Sequence, residues 1–364
     1  MPDSSSASRD APLREPIDGA SAWTGAELAA DGSWIQSLQP AEIAEIEAAF
    51  RAARARGLHY ADVKAGDFPL PGLAPRLNAL LEQLESGRGV ALLRGLPVAD
   101  YDDEDLRLMW AGIGAHIGPL LPQSVQGKLM RDVRDEAGGK LQAHAPSVVA
   151  GALTSTQKAQ SNGPLRFHTD RADVLGLLCV RQAGSGGESK VASGVTVRNE
   201  ILRRRPDLHA LLCQPYWRTR ETQDMGAGRM VYAMPVFGFR DGRFCTQYSR
   251  TFVEEAQRIE GVPKMTAAMD EALDMLAAVA EQTCHVFRLS PGDMVFYNNL
   301  VVYHGRTPFT DDPAARADRL LYRLWFAPAN TRPLPESYRE TWGSIEPGAH
   351  RGGMMTSGTS QAAE

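Results

Sequence analysis

From Gln123 onward this chain is a succession of short apolar segments, each too short for a packed helix and each closed by Gly, Pro, Asp or Asn. ADVLGLLCVR reads as one strand. RMVYAMPVFGF and RFCTQY flank Asp241-Gly242, a hairpin turn signal. HVFRLS, the turn PGD, and MVFYNNLVVYHGR read as strand, turn, strand, and RLLYRLWF as a last strand. The first third has a different period. Ile43, Ile46 and Phe50 share one helix face, as do Leu77, Leu80, Leu81 and Leu84, and Leu106, Met109, Trp110 and Ile113. Asp102 and Asp103 are candidate caps for the last of these. GRGVALLRG interposes a buried strand, and helices are also predicted over Thr196–Arg205, stopped by Pro206, and Thr266–Gln282. Early helices followed by many short strands predict a mainly β chain with α additions (α+β), a jelly-roll barrel flanked by helices.

No internal repeat or long linker divides the 364 residues, so one domain is predicted over 21–345. Residues 1–20, rich in Ser, Asp, Pro and Ala, and 346–364, rich in Gly, Ser and Thr, are predicted to be disordered tails. The net charge of −5 lacks the basic face that nucleic acid requires, and no apolar run is long enough to span a membrane. The four cysteines, with no CxxC, read as reduced thiols of a cytoplasmic enzyme. Composition is silent on oligomeric state, and a homo-oligomer is left open.

The sharpest local feature is His168-Thr169-Asp170 in LRFHTDRADV. On a strand, residues i and i+2 face the same way, so His168 and Asp170 can both reach one metal ion. Alone, His-x-Asp is weak, since a structural His–Asp hydrogen bond uses the same spacing. The best third ligand is His304, in NNLVVYHGRTPF. Two His and one carboxylate form the facial triad that leaves positions open on Fe(II). Arg319 and Arg323, at i and i+4 on the following strand, can enter one cavity, where a guanidinium suits the carboxylate of a 2-oxo-dicarboxylate.

HTD, then HGRTPF, then RxxxR is far more specific than HxD. Together with SLQPAEIAEIEAAF, GRGVALLRGLPV and LRFHTDRADVLGLLCVRQAGSGGES, it resembles the taurine dioxygenase-like (TauD/TfdA, clavaminate synthase-like) family of Fe(II)/2-oxoglutarate oxygenases from about Trp23 to Trp342. The resemblance implies a distorted double-stranded β-helix (jelly-roll) core, with His168, Asp170 and His304 as iron ligands. It implies that Arg319 meets the distal carboxylate of 2-oxoglutarate with Ser189 beside it, and that Arg323 meets an anionic group of the substrate. The interval from His304 to Arg319 is longer than in some relatives, which leaves Arg316 or Arg323 as alternatives to Arg319. Ser189 also reads as a turn hydroxyl, and Arg323 as a structural ion pair. The implied reaction hydroxylates a small, anionic or amino-acid-like molecule with O2, turning 2-oxoglutarate into succinate and CO2. Desaturation or cyclisation would use the same residues, and a non-oxidative hydrolase or isomerase would keep the triad alone. The Asp170 carboxylate argues against halogenation, for which relatives carry a small residue there.

Of the remaining candidates, His116 reads as a core-edge histidine, His144 as a loop histidine and His285 as the start of a strand. Arg203-Arg204-Arg205 reads as a solvated helix end. Gln123 and the QSVQGK stretch are candidates for the substrate mouth, and Met225–Met230 for a lid or a surface loop.

Overall fold

The computed structural model describes residues 9–136, 160–220 and 230–354. His144 and Met225 lie outside the described residues. The larger sheet has six strands in the order β1 (Ile35–Ser37), β2 (Val90–Arg94), β13 (Met294–Asn298), β5 (Val174–Arg181), β16 (Leu320–Phe326) and β3 (Met130–Val133). Only β1 and β2 run parallel. The second sheet is antiparallel, in the order β12 (His285–Phe287), β7 (Ser189–Ser193), β14 (Val302–Arg306) and β4 (Leu165–His168). Three ribbons complete the strands: β6 (Ser185–Gly186) with β15 (Phe309–Thr310), β8 (Pro215–Thr219) with β9 (Val231–Pro235), and β10 (Phe237–Arg240) with β11 (Arg243–Thr246).

The alternation of β16 explains why it reads as unbroken apolar sequence. Leu320, Tyr322, Leu324 and Phe326 pack against helices α2 (Pro40–Ala55), α3 (Ala74–Ser86) and α4 (Asp103–Gly114). Leu321 and Trp325 point the other way, into a cluster with Phe167, Val191 and Tyr303 of the second sheet. A strand buried on both faces needs apolar residues at every position, apart from those kept for chemistry. Arg319 and Arg323 share the Leu321 side.

The local signals are realised closely. The Asp102 carboxylate accepts from Asp105 N at 2.9 Å and caps α4. Asp241 (φ 51°) and Gly242 (φ 73°) are both left-handed and close the β10–β11 hairpin. Helices occupy Gly194–Arg204 and Ala267–Thr283.

Two expectations need correction. The described helices contain more residues than the described strands, so the chain is mixed α/β rather than mainly β. Pro206 stops one helix but also begins another, Pro206–Leu212, because an N-terminal proline lacks only a donor the helix does not use. Residues outside 21–345 also make long-range contacts. Buried Arg198 donates to the carbonyls of Leu13 and Glu15, and Asn199 bonds both backbone groups of Ile17. At the other end, fully buried Arg351 pairs with Asp173, and Gly353 N donates to Arg171 O. Backbone hydrogen bonding to distant arginines leaves no compositional trace, so both segments look like tails in sequence. Among the described residues, no helix is long and apolar enough to cross a membrane.

Candidate active site

Register brings the two histidines together. His168 ends β4 directly opposite His304 on β14, with ring centroids 4.2 Å apart. Gly305 makes this approach feasible, since a Cβ there would stand 2.8 Å from Leu165 O. Asp170 lies just past the strand rather than on it. Its turn is held by Asn299, whose Oδ1 accepts from Asp170 N at 3.1 Å while Nδ2 donates to Ala172 O at 3.0 Å. Ligand atoms of His168, Asp170 and His304 all lie within 4.8 Å of one another.

The surroundings leave these three groups chemically open. His168 Nδ1–H donates to Arg166 O at 3.0 Å, which fixes the tautomer and leaves Nε2 as the free lone pair. Asp170 Oδ2 accepts from Trp325 Nε1 at 2.8 Å and from Arg323 Nη1 at 3.1 Å. Asp170 Oδ1 has only a long contact, 3.8 Å, to His168 Nε2. His304 Nδ1 is buried without a hydrogen-bond partner. Burial pushes the His168 imidazole below its ordinary range despite the attraction of Asp170. Burial, with His168 adding to it, holds His304 down to about 3. For Asp170, burial raises the pKa, but Arg323, the two imidazoles and Trp325 outweigh it and hold it at about 2. Two neutral imidazoles and one carboxylate with unused lone pairs are the donor set a divalent metal takes.

A cavity of about 480 Å³ opens beside His304, lined by Ser189, Tyr297, Arg306, Arg319 and Arg323 among others. Arg319 is 4% exposed, and no carboxylate lies within ion-pair distance of it among the described residues. Its Nη1 reaches Val133 O at 3.4 Å, and its Nε has no partner. Burial lowers it to about 10. Arg316 sits on an exposed turn (φ 54°) away from this cavity. Arg323 lines both this cavity and a larger cleft of about 820 Å³ that also includes His168, Asp170, Arg218, Gln247 and Met354.

Other candidates fall away. His116 bonds Phe68 O at 2.8 Å, and the His285 ring stacks on Phe287. Arg203, Arg204 and Arg205 pair with Glu200, Asp207 and Glu271. Gln123 does not line the mouth. It is buried, its Oε1 accepts from Arg323 Nε at 2.7 Å, and its Nε2 donates to Arg323 O at 2.8 Å. Sequence reading missed Trp325, although its place two residues beyond Arg323 on one strand face carried the signal. It also missed Arg218, which no motif marks.

The family model for taurine catabolism dioxygenase TauD, TfdA family, matches residues 54–325. FR-33289 synthase of Streptomyces rubellomurinus is 28% identical, over 91% of this chain and 96% of that protein. The taurine hydroxylase-like protein SAT17 of Stachybotrys chartarum is 27% identical, over 83% and 77%. Among solved structures, asparagine oxygenase in complex with Fe(II), 3-hydroxyasparagine and succinate superposes with a TM-score of 0.61 at 18% identity, covering 80% of this chain and 93% of that one. The non-heme iron oxygenase OrfP with Fe and alpha-ketoglutaric acid gives 0.58 at 17%, covering 86% and 99%.

Proposed function

This chain belongs to the TauD/TfdA family of dioxygenases, and we propose that it hydroxylates an unactivated C–H of a small, acidic or amino-acid-like molecule. On this reading the two sheets are the distorted double-stranded β-helix of the family. His168, Asp170 and His304 hold Fe(II), Arg319 and Ser189 hold the distal carboxylate of 2-oxoglutarate, and Arg323 meets an acidic group of the substrate. When bound, Fe(II), 2-oxoglutarate and O2 together supply the oxidant, with succinate and CO2 as by-products. The protein contributes placement. Trp325 and Arg323 occupy one oxygen of Asp170 and so aim the other at the metal. Tyr297 stacks on His304 with ring planes 8° apart and holds its orientation. Leu175, Leu177 and Val133 make the 2-oxoglutarate cavity apolar, which strengthens the Arg319–carboxylate attraction and excludes water.

The observation that carries the reading is Arg319, a buried cation with no carboxylate in ion-pair distance among the described residues, in a cavity bordered by an open His–Asp–His cluster. A 2-oxo-dicarboxylate answers both at once, because its far carboxylate neutralises the arginine while its near end meets the metal. An amino-acid-like substrate is favoured by the molecules bound in the solved structures, 3-hydroxyasparagine and hydroxyarginine. The four free cysteines fit a reducing, cytoplasmic setting. The test is succinate formation from 2-oxoglutarate over a panel of amino acids, betaines, sulfonates and phosphonates. Production should rise with the right substrate and vanish in His168→Ala. A metal-dependent activity that survives Arg319→Met would instead identify a non-oxidative hydrolase or isomerase.

A further inference from the structure

We propose that the larger cleft carries a second oxyanion subsite built on Arg218 and Arg220, so that the substrate bears a second acidic group besides the one met by Arg323. This rests on the oxygenase reading above and narrows its substrate class to molecules with two acidic groups.

Several other buried or half-buried arginines have their donors closed by protein groups, in contrast to Arg319. Arg351 lies in bidentate contact with Asp173, Arg332 pairs with Glu85, and Arg250 pairs with Glu254, Asp270 and Asp274. Arg198 has no carboxylate, yet all three of its nitrogens are bonded, to Leu13 O, Glu15 O, Asn199 Oδ1 and His209 Nε2. Arg218 breaks this pattern. It is 1% exposed, and among the described residues its hydrogen-bond partners are two carbonyls, Gln247 O at 2.7 Å and Pro235 O at 3.3 Å, both on Nη2. Its Nε is buried without a partner, and no carboxylate comes within ion-pair distance among the described residues. A buried, unneutralised cation is unfavourable unless a ligand supplies the missing anion.

Arg220 carries the same deficit. Arg220 donates through Nη2 to Glu340 at 2.9 Å and lies over the Tyr232 ring, but its Nε is buried without a partner. Gln247 and Ser249, two residues apart on one segment, are buried beside them and can offer an amide N–H and a hydroxyl. All four line the cleft that also contains His168 and Asp170. The carboxylate in that lining is Asp170, already committed to Arg323, Trp325 and the metal position. The cleft is therefore strongly cationic away from the metal. Two guanidinium Nε–H groups and an amide suit a carboxylate, sulfonate or phosphonate alike.

The experiment titrates acetate, sulfate and methylphosphonate, separately and at fixed ionic strength, into the apo chain and into the anaerobic Fe(II)–2-oxoglutarate holoenzyme, and follows the thermal midpoint. The expected result is a saturable rise with at least one oxyanion. The anion giving the tightest response identifies the acidic group as carboxylate, sulfonate or phosphonate. Arg218→Met should weaken that response at least tenfold, and Arg218→Lys should retain part of it. Arg220→Met, nearer the surface, serves if Arg218→Met does not fold, and should weaken the response by a smaller factor. The proposal is overturned if wild type shows no saturable rise, if Arg218→Met responds like wild type, or if Arg220→Met leaves the affinity unchanged where it alone can be measured. Failure of the oxygenase reading looks different: the holoenzyme does not form, while the apo titration still decides the subsite.

Discussion

Asp170 and Asp173 are buried aspartates three residues apart, each facing an arginine from a distant part of the chain, yet they do opposite things. Asp173 is closed. Arg351 approaches with Nη2 at 2.6 Å from Oδ1 and Nε at 3.1 Å from Oδ2, and Arg351 spends its other donors on the carbonyls of Glu346 and Arg332. Burial pushes the Asp173 carboxyl above its ordinary range even so. Asp170 is half-closed. One oxygen is taken by Arg323 and Trp325, and the other looks toward two imidazoles. A closed pair pins the C-terminal segment to the start of β5, whereas an open one offers a ligand. Charge burial alone does not mark function, but an unfilled valence beside buried charge does. Arg319 and Arg218 are the cationic counterparts of Asp170, as Arg351 is of Asp173.

The comparison breaks first on stability. Asp173→Ala or Arg351→Met alone should cost about 3–5 kcal/mol, since each strands a buried charge. The double variant Asp173→Leu/Arg351→Met should recover most of that in chemical denaturation. If the double variant is as unstable as the singles, the pair is not simply closed. Arg319→Met should behave in the opposite way. Stability should hold or rise, while 2-oxoglutarate affinity falls by about 2–5 kcal/mol, measured by anaerobic calorimetry.

pH separates the open site again. In the metal-free protein His304 resists protonation down to about 3, whereas the unfolded chain takes up that proton near its ordinary value. The unfolded state therefore binds more protons between those limits. Metal-free stability should fall with decreasing pH, with a slope from this residue approaching about 1.4 kcal/mol per pH unit, and His304→Gln should flatten it. The smallest effect sharpens the role of Trp325. Trp325→Phe keeps the ring but removes the donor to Asp170, and should lower Fe(II) affinity about tenfold with the fold intact. An unchanged affinity would leave Arg323 alone as the group that aims Asp170.

The triad and the arginine pair were legible in the sequence because strand periodicity fixes which side chains share a face. His168 and His304 sit on strands, and Arg323 and Trp325 share one face of β16, with Arg319 immediately before it. The longer helices were legible from their apolar faces, whereas short ones such as Pro206–Leu212 were not. What remained hidden depends on contacts between distant segments. The roles of Gln123 and Asn299 are set by single hydrogen bonds to residues far along the chain. Residues 13–17 are anchored through backbone groups, which any side chain can carry, and Arg351 by a partner 178 residues away, which no local spacing marks. Arg218 was invisible because what distinguishes it is a missing partner, and absence has no spacing.

The central claim is that the open valences of Asp170, His168, His304 and Arg319 are filled together. The most direct measurement is anaerobic titration of Fe(II) into the chain with saturating 2-oxoglutarate, followed by visible absorption. One equivalent of Fe(II) should produce a charge-transfer band that requires 2-oxoglutarate, is absent in His168→Ala, and needs far more 2-oxoglutarate in Arg319→Met. Fe(II) binding that is indifferent to 2-oxoglutarate, or a band unaffected by Arg319→Met, would contradict it.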